Sequence, residues 1–183
     1  MQDQLVNSAP KTTLLLYASV DGQTEKISRF IHDELKVLGR HSTIENISNF
    51  KGNLEDFDKI LLASSIRYGL HHPDFLKFVE ENAPLLNLKK TAFVSVNLVA
   101  RKMEKQSPET NPYAVKFLQS TSWKPQLTAV FPGKLNYSKY PFKDRIMIQL
   151  IMWLTNGPTN AKTNIEYTDW KIVQDFAKKF ASL

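Results

Sequence analysis

The sequence predicts an α/β chain folded in three layers, a five-stranded parallel sheet with helices on both faces. Three observations carry this. Short apolar runs recur along the chain, TTLLLY, DKILLAS and TAFVSV among them, each closed by a polar turn. Most are followed by residues whose apolar positions repeat at helical spacing. Parallel strands need a helix-length crossover, so strands alternating with helices give a sheet covered on both sides. The length, 183 residues with 42% apolar and 11% aromatic content, suits about one domain with a packed core.

Taken in order, Met1 to Pro10 is polar and reads as a loose N-terminal extension, with residues 11–183 as a single domain. Thr12 to Tyr17 is the first strand. Glu25 to Leu38 is an amphipathic helix on Ile27, Phe30, Ile31, Leu35 and Leu38, stopped at Gly39. His41 to Ile47 alternates as the second strand. Asp58 to Ser64 is the third, followed by a polar-aromatic turn, Ser65 to Gly69. A helix begins at Pro73, where proline suits a first turn, with Phe75, Phe78 and Val79 inward. Thr91 to Val96 is the fourth strand, Asn97 to Ser107 a loop, Pro108 to Ser120 a helix, and Leu127 to Phe131 the fifth strand. Thr168 or Asp169 caps the last helix, with Trp170, Val173, Phe176, Ala177 and Phe180 facing inward. Between them Lys134 to Tyr167 is longer than a connector needs and reads as an insertion.

With no cysteine, the chain has no disulfide, thiolate metal site, ordinary iron–sulfur cluster or cysteine nucleophile. Its six glycines are too widely spaced to write either a dinucleotide fingerprint or a Walker loop. A net charge of +6 favours anionic partners. Nucleic acid is not expected among them, since no aromatic-and-basic stripe or reading helix is evident. No apolar run reaches the length of a membrane-spanning helix, about 18 residues or more. His71 and His72 read as solvent-facing loop residues rather than metal ligands, and no metal site is expected.

In an open parallel sheet, ligands bind beyond the carboxyl ends of the strands. Three turns lie there: 18 to 24, 64 to 72 and 96 to 102. The first sets Ser19, Gln23 and Thr24 around Gly22 where a helix begins, an arrangement that suits a phosphate at the positive end of the helix dipole. The same residues also serve a simple capped turn, and Asp21 must turn away from an anion. Ser65, Tyr68, Ser95 and Asn97 are polar groups able to meet a planar heterocycle, with Tyr68 a stacking face.

Together these turns resemble the flavodoxin-like family, whose Ser/Thr-x-Thr/Asp-Gly-x-Thr loop holds the phosphate of FMN. Four segments narrow the resemblance: Asp21-Gly22-Gln23-Thr24, Ala63 to Gly69 (ASSIRYG), Ser95 to Lys102 (SVNLVARK) and Tyr167-Thr168-Asp169-Trp170. They are similar to the quinone-dependent protoporphyrinogen IX dehydrogenases of that family, over nearly the whole chain beyond residue 11. The resemblance implies a flavodoxin-like sandwich with strand order 2-1-3-4-5. It also implies oxidation of protoporphyrinogen IX to protoporphyrin IX in haem synthesis. FMN takes two electrons in each of three rounds and passes them to a membrane quinone, menaquinone or ubiquinone. By position, Ser19, Asp21, Gly22, Gln23 and Thr24 form the phosphate loop. Ser64, Ser65, Arg67, Tyr68 and Gly69, with Phe93, Ser95, Val96, Asn97 and Leu98, flank the isoalloxazine. Arg67 is open to three placements: facing the flavin, pairing with a substrate propionate, or in solvent. Where the family pattern has Gly-Gly-x-Thr-Asp, this chain has Asn156-Gly157-Pro158-Thr159-Asn160, so a cofactor contact from that loop is not carried over. No catalytic acid or base is assigned, because the flavin carries the chemistry.

Within the insertion, Phe142 to Leu154 (FKDRIMIQLIMWL) is helical and apolar almost all round from Ile146 onward. Its rise of about 20 Å is too short to span a bilayer. Such a helix is buried in the fold, buried against another subunit of a homo-oligomer, or set into a membrane face. The basic and aromatic flank, Lys134, Tyr137, Lys139, Tyr140, Lys143 and Arg145, favours the anionic inner face of the cell membrane, touched through about 140–155 by a cytoplasmic protein. Rival readings are a flavodoxin-type electron carrier or nicotinamide:quinone reductase, and a non-enzymatic nucleic-acid or lipid-binding module.

Overall fold

The computed structural model describes residues 12–183. The expected extension over 1–10 lies outside the described residues. In chain order the elements are β1 (Thr13–Ala18), α1 (Gln23–Val37), β2 (Ser42–Asn46), β3 (Lys59–Arg67), β4 (Leu70–His71), α2 (Pro73–Leu86), β5 (Lys90–Asn97), α3 (Pro112–Ser120), β6 (Leu127–Pro132), β7 (Lys134–Asn136), α4 (Phe142–Leu154), β8 (Asn164–Glu166) and α5 (Trp170–Ser182).

Five parallel strands lie in the order β2-β1-β3-β5-β6, with β4 antiparallel to β3. Counting parallel strands alone, this is the expected 2-1-3-4-5. The register runs Leu15 beside Leu61 and Leu61 beside Ala92. The central strands are apolar on both sides because each face has its own helix layer. Leu15, Leu61, Val94 and Phe131 pack under α1 and α5, while Leu14, Leu16, Leu62 and Phe93 pack under α2 and α3. Trp123 is fully buried on the second face, and its indole N–H donates to Thr91 Oγ1 at 3.0 Å.

Three expectations are corrected. The third strand does not end at Ser64 but runs to Arg67 and turns back into β4 through Tyr68 and Gly69, at φ 53° and 79°. Two consecutive left-handed residues make the tight turn whose twist matches a hairpin. The helix expected from Pro108 starts at Pro112. Asn111 caps it by accepting from the backbone N–H groups of Tyr113 and Ala114, and Pro112 needs no donor in a first turn. His71 is not a solvent-facing loop residue. It is 5% exposed, ringed by Phe75, Phe93 and Phe117, with Nε2 3.1 Å from Ser95 Oγ. The hairpin turns it inward, and burial pushes its pKa down to about 3. His72 stays half-buried and caps α2, accepting from Asp74 N.

The insertion forms its own small unit. Strands β7 and β8 pair antiparallel, and Leu135, Tyr137, Tyr140 and Met152 bury one another beneath α4. The loop 156–160 packs there too: Tyr137 Oη donates to Pro158 O at 2.7 Å and Gln149 Nε2 to Thr159 O at 2.8 Å. A Cβ at Gly157 would sit 2.5 Å from Met152 Sδ and 3.1 Å from Arg101 Nη2, so a side chain there would push both aside.

Candidate functional site

The carboxyl ends of β1, β3 and β5 open onto one cavity of about 380 Å³, roofed by α4. At one end the β1–α1 turn is pinned by Ser19 Oγ, which accepts from Gly22 N at 3.1 Å. Gly22 precedes α1 with φ 88°, a conformation that disfavours any side chain. The first-turn N–H groups of α1 therefore begin at the cavity. Thr24 lines it, is almost fully buried, and its Oγ1 has no hydrogen-bond partner. An orphaned buried hydroxyl costs about 1–3 kcal/mol, so this donor fits an absent acceptor such as a phosphate. Gln23 lines the cavity but spends its amide on Thr168 Oγ1 at 2.9 Å, and Thr168 in turn donates to Pro132 O at 2.7 Å. Its part is to tie the loop to the start of α5.

Toward the other end, Ser65, Arg67, Tyr68 and Gly69 form one wall, and Val96, Asn97 and Leu98 another. Asn97 shapes its loop from within, its Oδ1 accepting from Ala100 N at 3.0 Å. Tyr68 keeps its ring exposed at the rim, on a backbone that bulky residues seldom adopt. Three of the residues expected here do not reach the cavity. Phe93 points to the opposite face of the sheet and is fully buried against Phe75, Phe117 and Trp123. Ser64 accepts from His72 N and donates to Ser65 O, and Ser95 faces His71. All three are buried supports, and β alternation is the reason Phe93 leaves while Val96 stays. Gly22 contributes its backbone only, and residues 156–160 do not line the cavity.

Sequence reasoning missed the contribution of the roof. Met147, Ile148, Ile151 and Met152 of α4 close the cavity with an apolar surface, and Tyr113, Arg101, Lys134 and Tyr140 complete it. It also missed Asp144, buried on the first turn of α4. Arg67, with its side chain 21% exposed, is not in solvent: Nη1 donates to Asp21 Oδ2 at 3.0 Å and Nη2 to Asp144 Oδ2. Tyr68 Oη donates to the other oxygen of Asp144. That bond holds the Tyr68 phenol above its usual pKa. Burial pushes the Asp21 carboxyl up, with Arg67 pulling it down and Asp144 pushing it further up. At the far end of α4, Arg101 donates to Thr155 O at 3.1 Å and Oγ1 at 2.6 Å. These pairings join residues far apart in the chain, and periodicity carries no trace of them.

A flavodoxin domain model matches residues 14–162. The chain belongs to the flavodoxin family. This flavodoxin chain is 43% identical over 172 residues to the protoporphyrinogen IX dehydrogenase [quinone] of Escherichia coli strain K12, covering 93% of this chain and 95% of the relative. It is 42% identical over 183 residues to a protein of the same name from Leishmania major, covering 98% of this chain and 78% of that one. Among solved structures, the flavodoxin of Streptococcus pneumoniae TIGR4 superposes with a TM-score of 0.55 at 18% identity, over 93% of this chain and 98% of that one. A likeness at that identity establishes the fold alone. Helix α4 lies within the span of residues that the flavodoxin model matches.

Proposed function

We propose that this flavodoxin chain is an FMN-dependent dehydrogenase that oxidises protoporphyrinogen IX to protoporphyrin IX and passes the electrons to a quinone. The observation that carries the reading is the buried, partnerless Thr24 hydroxyl at the helix end of the cleft, in a chain 43% identical to a relative named for that reaction. FMN supplies the hydride and electron chemistry when bound. Thr24 and the first-turn N–H groups of α1 hold its phosphate, neutral donors acting at the positive end of a helix. The walls formed by Ser65 to Gly69 and Val96 to Leu98 set the ring's position. Met147, Ile148, Ile151 and Met152 keep water from it. No side chain is assigned a proton-transfer role: His71, the titratable ring nearest in sequence to the Tyr68 wall, is buried on the other side of Ser95. Residues 11–183 act as one domain in this reading.

The outer face of α4 has a place in the same scheme. Phe142 and Trp153 are each 67% exposed, and Ile146, Leu150 and Leu154 lie exposed on the same side. Lys139 and Lys143 stand exposed beside them. No helix among the described residues is long and apolar enough to cross a membrane. An apolar helix face with basic neighbours suits insertion into an anionic lipid surface, which is also where a quinone pool resides. Replacing Phe142 and Trp153 together by Ser is expected to lower binding to anionic vesicles by tenfold or more while leaving FMN content unchanged; unchanged vesicle binding contradicts the docking.

The test of the reaction is spectroscopic. Protein loaded with FMN is expected to lose its yellow colour on anaerobic mixing with protoporphyrinogen IX and to regain it on adding a quinone. Bleaching by a nicotinamide and not by the porphyrinogen contradicts the assignment and favours a nicotinamide:quinone reductase.

A further inference from the structure

The cavity's volume is at the small end of single-ligand sites, which run about 300–1,000 Å³. A tetrapyrrole entering beside a flavin ring meets α4, which roofs the cavity, and the polar attachments of the helix decide whether it gives way. At its C-terminal end, Arg101 binds a backbone carbonyl and the Thr155 hydroxyl, neutral groups with no competing charge. At its N-terminal end, Asp144 is held by Arg67 and Tyr68, with its side chain only 11% exposed.

The Arg67 guanidinium is divided at that end. Arg67 serves two carboxylates, one nitrogen each, while Lys139 adds a second cation whose charge acts on Asp21. A guanidinium prefers one carboxylate in a two-point fork to two shared single contacts. Asp21 belongs to the β1–α1 turn beneath the cleft, whereas Asp144 rides on the roof helix itself.

Resting on the functional reading above, we propose that Asp144 is an exchangeable latch. It holds α4 closed through Arg67 and Tyr68, and a carboxylate of an incoming dicarboxylic tetrapyrrole takes its place on Arg67. Binding then opens the N-terminal end of α4 while Arg101 keeps the other end attached. Asp144 acts here as a positioning residue: it sets the availability of Arg67.

The experiment uses the FMN-loaded protein with protoporphyrin IX and its dimethyl ester as probes, and hydrogen exchange over 142–154 as a second readout. In the wild type the diacid is expected to bind about tenfold more tightly than the diester, the scale of one charge-assisted hydrogen bond, and to speed exchange in α4. Asp144→Asn is expected to raise α4 exchange about tenfold without ligand and to widen the preference for the diacid. Arg67→Gln is expected to abolish the preference. Asp144→Asn with unchanged exchange and an unchanged or narrower preference overturns the latch. Exchange that rises in Asp144→Asn while wild-type preference is absent overturns the carboxylate exchange. A wild type that binds FMN and neither porphyrin defeats both the substrate assignment and the exchange on Arg67, whereas one that binds no flavin defeats the functional reading itself.

Discussion

Replacing His71 by Phe is expected to make the protein markedly less sensitive to acid. Burial among Phe75, Phe93 and Phe117 holds the ring's pKa at about 3, against 6.5 for an ordinary histidine. The unfolded chain therefore takes up a proton below about pH 6.5 that the folded chain refuses until about pH 3. The stability associated with the neutral ring is full above the unfolded value and is lost as pH falls through that window. Each pH unit inside it costs about 1.4 kcal/mol, so lowering pH from 7.5 to 4.5 removes about 2.7 kcal/mol through this one group. Phe keeps a ring in the aromatic cluster and has no proton to refuse. Ser95 Oγ retains Asn97 Nδ2 at 3.3 Å, so the change leaves no orphaned hydroxyl. Overpacking at Nε2 shifts absolute stability by about 1–3 kcal/mol but is the same at every pH. Urea unfolding at pH 7.5, 5.5 and 4.5 reads the difference directly. The wild-type midpoint is expected to fall by about 1–3 M more than the variant's, from an m-value of about 1–3 kcal/mol per molar urea. Equal falls in the two proteins refute the buried neutral histidine.

Two further outcomes concern the phosphate end of the cleft. Thr24→Val removes the orphaned hydroxyl, so the ligand-free protein is expected to gain about 1 kcal/mol in unfolding experiments while its affinity for FMN drops about tenfold. Riboflavin, which lacks the phosphate, is expected to bind both proteins equally; an unchanged affinity for FMN contradicts the role of Thr24. Gly22→Ala is expected to cost about 1–2 kcal/mol of thermal stability from its left-handed backbone alone, because a Cβ there meets nothing within 4 Å. A wild-type melting temperature in that variant contradicts the backbone argument.

The layers and the strands were legible because they depend on local pattern, whereas the strand order followed from the family resemblance. TTLLLY, DKILLAS and TAFVSV are continuous apolar runs, and Ile27, Ile31 and Leu35 mark one face of α1. The phosphate turn was legible for the same reason, since Ser19, Gly22 and Thr24 stand within six residues. What escaped was set by tertiary contact. Ile66 and Arg67 look like turn residues until Tyr68 and Gly69 fold β4 back on them. His71 is polar by composition, and its burial follows from that hairpin. Helix α4 reads as apolar all round because two faces are apolar for different reasons, Ile148 and Met152 over the cleft, Phe142 and Trp153 outward. Asp144 meets Arg67 across 77 positions of sequence, a separation at which no spacing rule operates.

In the proposed reading the loops after β1, β3 and β5 together form a flavin mononucleotide site. Amide chemical shifts recorded while FMN is titrated into the ligand-free protein test it most directly. Saturable changes are expected, concentrated in residues 19–24, 65–69 and 96–101 and along the inner face of α4. Absence of binding, or changes confined to the opposite end of the sheet around Lys59 and Lys90, contradicts it.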